Sequence, residues 1–287
     1  MAVVLLNAAG YLAATYLMLL QHHRSQLAWL VLLVGALYFA LSRILQKRDA
    51  GAYAPVHLAL AVGFLSIAIP LKLDGPWITL GWLVEAGALF WAAHRSTSRL
   101  LRGLGIAALA LGIARLILVD SDAHQPLLLN PRFGLYLVAI AALAMLAHYA
   151  MSEGGDENRN WAAAAILTLN VLALLALHFE VMDYFRMEPM QRYNSEALRS
   201  LNIMRDFTYS AIWIIYGSAL MVIGFWKHSA FLRWQAIALL ALTAAKVFFY
   251  DIAALERGYR IAAFIVLGAV LLAVSFFYQR SRIKSTQ

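Results

Sequence analysis

The chain has 287 residues, 63% of them hydrophobic and 13% charged, with a net charge of +8 and no cysteine. A soluble globular domain is about half apolar and about a quarter charged, so this composition excludes an ordinary water-soluble fold, and the missing thiol excludes disulfides, thiolate metal sites and cysteine nucleophiles. The cations lie in short segments between apolar runs, which is the distribution of membrane-orientation signals and not of a basic face for nucleic acid.

A membrane-crossing helix needs about 20 mostly apolar residues. Ten windows qualify, at 2–20, 27–45, 54–71, 77–93, 103–119, 133–150, 161–179, 208–226, 234–250 and 260–278. Hydrocarbon offers no partner to an unpaired backbone group, so the windows are helices. Runs such as "WAAAAILTLNVLALLAL" lack the alternation of a transmembrane barrel strand. The first window has no basic segment ahead of its apolar core and no A-x-A site after "YLMLLQHHR", so it reads as a helix and not as a signal peptide.

The expected fold is therefore all-α, a polytopic helix bundle of ten transmembrane helices. In chain order, residues 1–53 hold two helices and 54–150 hold four. A linker at 151–160 leads to four more over 161–280, and 281–287 form a basic tail. The one long loop, 180–207, carries an amphipathic segment at 192–207. There Asn194 or Ser195 can cap a helix, and Leu198, Leu201, Ile203 and Met204 alternate with Arg199, Arg205 and Asp206. It reads as an interfacial helix leading into the eighth span, either a lid, a docking surface or a plain headgroup-level helix.

Ten spans put both termini on one side. The loops of that side hold twelve cations against five on the other, or nine if the 180–207 segment is counted. The positive-inside rule makes the richer side cytoplasmic. Asp74, Asp120, Asp122, Glu180, Asp183, Asp251 and Glu256 then face outward.

Two stretches repeat a pattern. "ARLILVD" runs from Ala114 to Asp120, and "AKVFFYD" occupies 245–251, each with a cation, four apolar residues and an aspartate. The register between them, 131 residues, extends without a gap. Thr79, Trp82 and Glu85 fall opposite Ser210, Trp213 and Tyr216, and Leu101-Arg102 falls opposite Leu232-Arg233. After the aspartate a helix opens near Arg132 in one copy and near Arg260 in the other. The helix before each copy ends in an acid, Asp74 or Glu180. Four helices is an even count, so the expectation is two parallel four-helix repeats, unlike the inverted repeats of many ion-coupled transporters.

The blocks "AIPLKLDGPWITLGWLVEAGALFW", "SAIWIIYGSALMVIGF" and "ALTAAKVFFYDIAALERGYRIAAFIVLGAVLLAVSFFYQR" resemble the carboxy-terminal part of a family of bacterial multi-spanning membrane proteins known as domain of unknown function 2339. The resemblance covers residues 54–280. It implies a bacterial inner membrane and repeated helices, and no particular activity. Family members are typically much longer, so it also implies a short member or a fragment.

The residues that composition does not explain are the charges. Arg115 and Lys246 lie about 7 Å from the outer ends of their helices at 1.5 Å per residue. Either they reach the headgroups as anchors, or each forms a buried ion-paired cluster with its aspartate (Asp120, Asp251) and the following arginine (Arg132, Arg260). Glu85 lies roughly 10–13 Å inside its helix, where a charge costs about 2.5–3.5 kcal/mol on insertion scales. It must be protonated, paired or facing water, and Arg115 on the adjoining helix is the expected partner, with Tyr216 and Lys246 as the neutral-acid counterpart. The Thr79–Trp82–Glu85 stripe shares a helix face, as a packing seam or a polar groove. Asn7 and Asn170 suit interhelical hydrogen bonds. No H-E-x-x-H, P-loop or G-x-G-x-x-G motif occurs, so no metal, cofactor or catalytic residue is expected. Three functions stay open. One is a structural or accessory component of an envelope complex with a membrane-protein partner. Another is a carrier or channel for a small polar or anionic solute. The third is an outward-facing enzyme on a lipid-linked substrate, with Asp74, Glu180 or Asp183 as its acid–base residues and His178 beside them.

Overall fold

The computed structural model describes residues 10, 24–47, 53–121, 130–186 and 195–251. Helices dominate and no strand occurs among them: α1 (Arg24–Lys47), α2 (Ala54–Lys72), α3 (Pro76–Ser96), α4 (Arg99–Arg115), α5 (Pro131–Glu153), α6 (Asp156–Arg186), α7 (Ser195–Trp226) and α8 (Ala230–Lys246). Two short π-helical segments continue α4 and α8, π1 (Leu116–Asp120) and π2 (Val247–Asp251). Seven helices among the described residues are long and apolar enough to cross a membrane. α3 has the length, at 21 residues, but is diluted by Glu85 and three tryptophans and is not among the seven. The first and tenth expected spans, Arg260 and the basic tail lie outside the described residues.

Two helices run further than their apolar windows. α6 continues through Glu180 to Arg186, so Glu180 lies within a helix and does not end one. The amphipathic stretch from Ser195 is not a separate interfacial helix: it is the first third of α7, 32 residues in all. At 1.5 Å per residue α7 is about 48 Å long, well beyond a hydrocarbon core of about 30 Å. Leucine, methionine and arginine all propagate a helix well, so no residue between 195 and 226 stops it.

The chain divides into two compact units, Met1–Glu180 and Val181–Gln287. In the first, α3 is the central helix, packed against α4, α5 and α2. Its Leu83, Ala86, Leu89 and Phe90 share one buried cluster with Ala108 and Leu109 of α4, Leu135, Tyr136 and Ala139 of α5, and Ala165, Leu172 and Ala176 of α6. Small residues let the backbones approach, as membrane helix contacts favour. A Cβ on Gly112 would lie 2.7 Å from Leu83 Cδ2, and one on Gly105 would lie 2.7 Å from Phe90 Cε1. A second cluster joins Leu27 and Val31 of α1 to Phe64 and Ala68 of α2. The opposite face of α3 is apolar but exposed, with Trp77, Val84 and Trp91 seven residues apart, as suits a lipid-facing stripe with aromatic ends.

The second unit is built on α7 packed against α8. Its helix-to-helix turn has the same construction as the turn between α3 and α4. Thr97 and His228 take left-handed φ values of 49° and 52°. Ser98 and Ser229 then cap the next helix, each accepting at 3.4 Å from the backbone N–H three residues on. These positions are again 131 residues apart.

Candidate functional site

In an α-helix, residues five apart are separated by about 140° around the axis, so a cation and an aspartate at i and i+5 do not share a face. The i→i+5 winding of π1 and π2 removes that obstacle. In the first unit Arg115 Nη2 lies 3.8 Å from Asp120 Oδ1. The guanidinium also donates to the Gly75 carbonyl at 3.0 Å, and the buried Thr79 hydroxyl donates to the other oxygen of Asp120. In the second unit Lys246 Nζ lies 2.6 Å from Asp251 Oδ1. It donates to the Asp206 carbonyl at 3.0 Å and to Ser210 Oγ at 2.8 Å, and Ser210 donates to Asp251 Oδ2. Every member of the second clamp stands 131 residues after its counterpart: 75 and 206, 79 and 210, 115 and 246, 120 and 251. Each clamp ties the end of one helix to the helix packed beside it, at the first turn of α3 in the first unit and well inside α7 in the second.

Arg132, which opens α5, is 2% exposed. Its guanidinium reaches Glu180 Oε1 on α6 at 3.5 Å, donates to the Ser121 carbonyl at 3.4 Å and lies 5.1 Å from the Phe179 ring centroid. Asn130 caps α5 through Phe133 N at 2.6 Å and its amide donates to Glu180 Oε1 at 2.8 Å. Ser121 donates to the Leu116 carbonyl at 2.7 Å and lies 3.3 Å from the Tyr136 hydroxyl. The structure thus pairs Arg132 with an acid of α6.

The expected Glu85–Arg115 pair does not form. Arg115 is turned to the rim, at the level of Gly75, ten residues and roughly 15 Å along α3 from Glu85. Glu85 is 7% exposed and accepts from Ser66 of α2 at 2.8 and 3.0 Å. The same serine Oγ contacts the Val62 carbonyl at 3.1 Å, and its own carbonyl accepts from Trp82 Nε1 at 2.9 Å. The stripe on α3 therefore divides: Trp82 and Glu85 converge on Ser66, while Thr79 serves Asp120. Asp74 is exposed in the turn before α3, and Tyr216 is half-buried about two thirds of the way along α7.

Ser66, Asn130, Ser121 and Tyr136 escaped the sequence reading. Isolated hydroxyls in an apolar helix carry no spacing signal, and Ser66 is indistinguishable in sequence from any serine that bonds back to its own helix. Thr79 and Ser210 align at the 131-residue offset as part of a helix-face stripe, but the alignment does not mark them as the hydroxyls that meet Asp120 and Asp251. Each clamp carboxylate is already shared between a cation and a hydroxyl, the chemistry of a satisfied ion pair and not of a metal-ligand set.

A family model described as predicted membrane protein (DUF2339) matches residues 1–122 and 104–281. No curated protein and no solved structure matches the chain.

Proposed function

The chain belongs to the DUF2339 family of predicted membrane proteins, and from that premise we propose that it is a structural or accessory component of an envelope-associated complex in the bacterial inner membrane. In this reading ten spans put both termini in the cytoplasm, and residues 54–150 and 161–280 are parallel four-helix repeats. The point-by-point correspondence of the two clamps supports the repeat. The observation that carries the structural role is the disposition of the charges. Arg115, Lys246 and Arg132 are each met by a carboxylate of the same unit, and the interior of the first unit is an apolar cluster that includes Leu83, Phe90 and Leu116. Charges so cancelled hold helix ends in register.

Glu85 favours a second reading, a carrier for a small polar or anionic solute, because it is a buried carboxyl that accepts from a neutral hydroxyl. One experiment separates the two. Wild-type and Glu85→Gln protein are compared for unfolding midpoint, for solute uptake in proteoliposomes, and for restoring a native envelope complex in a strain lacking the protein. A structural component shows no uptake and restores the complex in proportion to the folded protein present. Uptake that Glu85→Gln abolishes while leaving the unfolding midpoint unchanged overturns that reading in favour of the carrier.

A further inference from the structure

The corner where α7 turns into α8 holds two cations and an apolar cleft that neither clamp uses. The cleft, about 310 Å³, is lined by Met221, Phe225, Ala230, Arg233, Trp234 and Ile237. The Arg233 guanidinium lies 5.4 Å from the Phe225 ring and donates to the Gly224 carbonyl at 3.4 Å. The Lys227 ammonium lies 5.0 Å from the Trp226 ring. Neither cation forms an ion pair among the described residues.

The corresponding corner between α3 and α4 differs in just this respect. There Arg102, the counterpart of Arg233, lies 3.1 Å from Glu153 and also bonds Asn158, and Arg99 lies 3.9 Å from Glu157. The acids come from the last residue of α5 and the first turn of α6. At the α7–α8 corner no carboxylate of the described residues takes the place that Glu153 and Glu157 fill at the α3–α4 corner, so two cations stand beside the cleft with room for an added anion. Trp226 and Trp234 flank the cleft at 75% and 69% exposure, the placement of headgroup-level aromatics. The cleft thus opens where acyl chain meets phosphate, and a basic pocket between membrane helices suits an anionic headgroup.

We propose that this corner binds an anionic phospholipid of the surrounding bilayer, its phosphate held by Arg233 and Lys227 and the upper part of one acyl chain seated in the cleft between Met221 and Ile237. The inference needs only that α7 and α8 lie in a bilayer and does not depend on the structural or carrier reading.

The full chain is reconstituted in vesicles of phosphatidylcholine and phosphatidylglycerol, with brominated acyl chains placed on one lipid at a time. Quenching of Trp234 is isolated as the difference between wild type and Trp234→Phe. Each membrane-surface cation contributes about fivefold, so brominated phosphatidylglycerol should be preferred over brominated phosphatidylcholine by about fivefold to thirtyfold. Arg233→Gln and Lys227→Gln should each lower the preference about fivefold, and Arg233→Lys, which keeps the charge and controls for folding, should retain most of it. Free inorganic phosphate should leave the quenching unchanged. Equal quenching by the two lipids in wild type, a preference that survives the double glutamine variant, or relief of quenching by free phosphate would each overturn the proposal.

Discussion

The two clamps share a backbone and differ in their cations, and the difference separates what the fold requires from what it tolerates. Both use a left-handed turn, a serine cap, a helix that winds into a π segment, and a hydroxyl from the neighbouring helix. With arginine, a single nitrogen, Nη2, both donates to the Gly75 carbonyl and faces Asp120, and the carboxylate contact is loose at 3.8 Å. With lysine, the compact ammonium sits 2.6 Å from Asp251 and also reaches Ser210 and the Asp206 carbonyl. The constant element is the π winding that brings i and i+5 together, whereas a cation of either geometry can occupy it.

The strongest way to break that comparison is to remove each carboxylate charge in turn. Asp251 is 1% exposed and Lys246 is half-buried, so Asp251→Asn leaves a half-buried ammonium without its counterion and should destabilise by about 3 kcal/mol, the low end for a buried pair. Asp120→Asn should lose only about 1–3 kcal/mol, because Arg115 keeps the Gly75 carbonyl and the amide can still accept from Thr79. Unfolding of the purified protein in mixed micelles, followed by circular dichroism against mole fraction of dodecyl sulfate, measures both. Equal losses would mean that the closer contact in the second clamp has no energetic weight.

Exchanging the cations gives a smaller effect and sharpens the same contrast. Lys246→Arg must fit a branched planar group among Asp206, Ser210 and Asp251, where an ammonium already fills the space, and should lose about 1–3 kcal/mol by overpacking. Arg115→Lys places a slimmer side chain where the carboxylate contact is already loose at 3.8 Å and should cost less than about 1 kcal/mol. The same titration decides it, and a larger loss for Arg115→Lys would show that the guanidinium fork, not the π winding, holds the first clamp.

A comparable asymmetry is expected between the units' glycine contacts. Gly112→Ala pushes a methyl to 2.7 Å from Leu83 Cδ2, and Leu83 is 1% exposed with little room to retreat. It should cost about 1–3 kcal/mol. Gly217→Ala meets Leu240 Cδ2 at 3.0 Å, where the neighbour need give only a few tenths of an ångström, so the loss should stay below about 1 kcal/mol. Thermal aggregation midpoints in a fixed detergent rank the two.

Much of this was legible in the residues, and the gaps have physical causes. The helices announced themselves through hydropathy, and the matching of Thr79 to Ser210 and of Asp120 to Asp251 followed from alignment at one offset. The pairing of Arg115 with Asp120 was visible as a pattern but not as a geometry, because α-helical spacing forbids it and nothing in "LILV" or "VFFY" signals a π segment. Glu85 was assigned to the nearest unmatched cation, yet depth along α3 separates it from Arg115, and a serine on α2 receives it instead. The node of Arg132 with Glu180 was missed for another reason. Glu180 read as the end of one repeat's first helix, and a partner across 48 residues of sequence is set by tertiary packing alone. Likewise the amphipathic start of α7 looked like a separate element because its polarity changes, while its backbone does not.

The smallest effect probes the feature the two units share most closely. Ser98 and Ser229 cap their helices with the same 3.4 Å bond from Leu101 N and Leu232 N, at the long end of hydrogen-bond distance. A cap is worth about 0.5–2 kcal/mol, and both lie at its weak end, so Ser98→Ala and Ser229→Ala should each cost about 0.5–1 kcal/mol and differ from each other by less. Hydrogen exchange of the first-turn amides of α4 and α8, followed by mass spectrometry of peptides spanning each turn, reports this locally. The two sites are far apart in sequence and share no partner, so the double variant should show the sum of the single effects. A Ser229→Ala loss well above that of Ser98→Ala would mean that the α7–α8 turn, whose cations no carboxylate of the described residues neutralises, depends on its cap more than the turn held by Glu153 and Glu157 does. The corner proposed to hold a lipid would then be the less stable of the two in detergent, and adding anionic phospholipid should restore its exchange protection towards that of the α3–α4 turn.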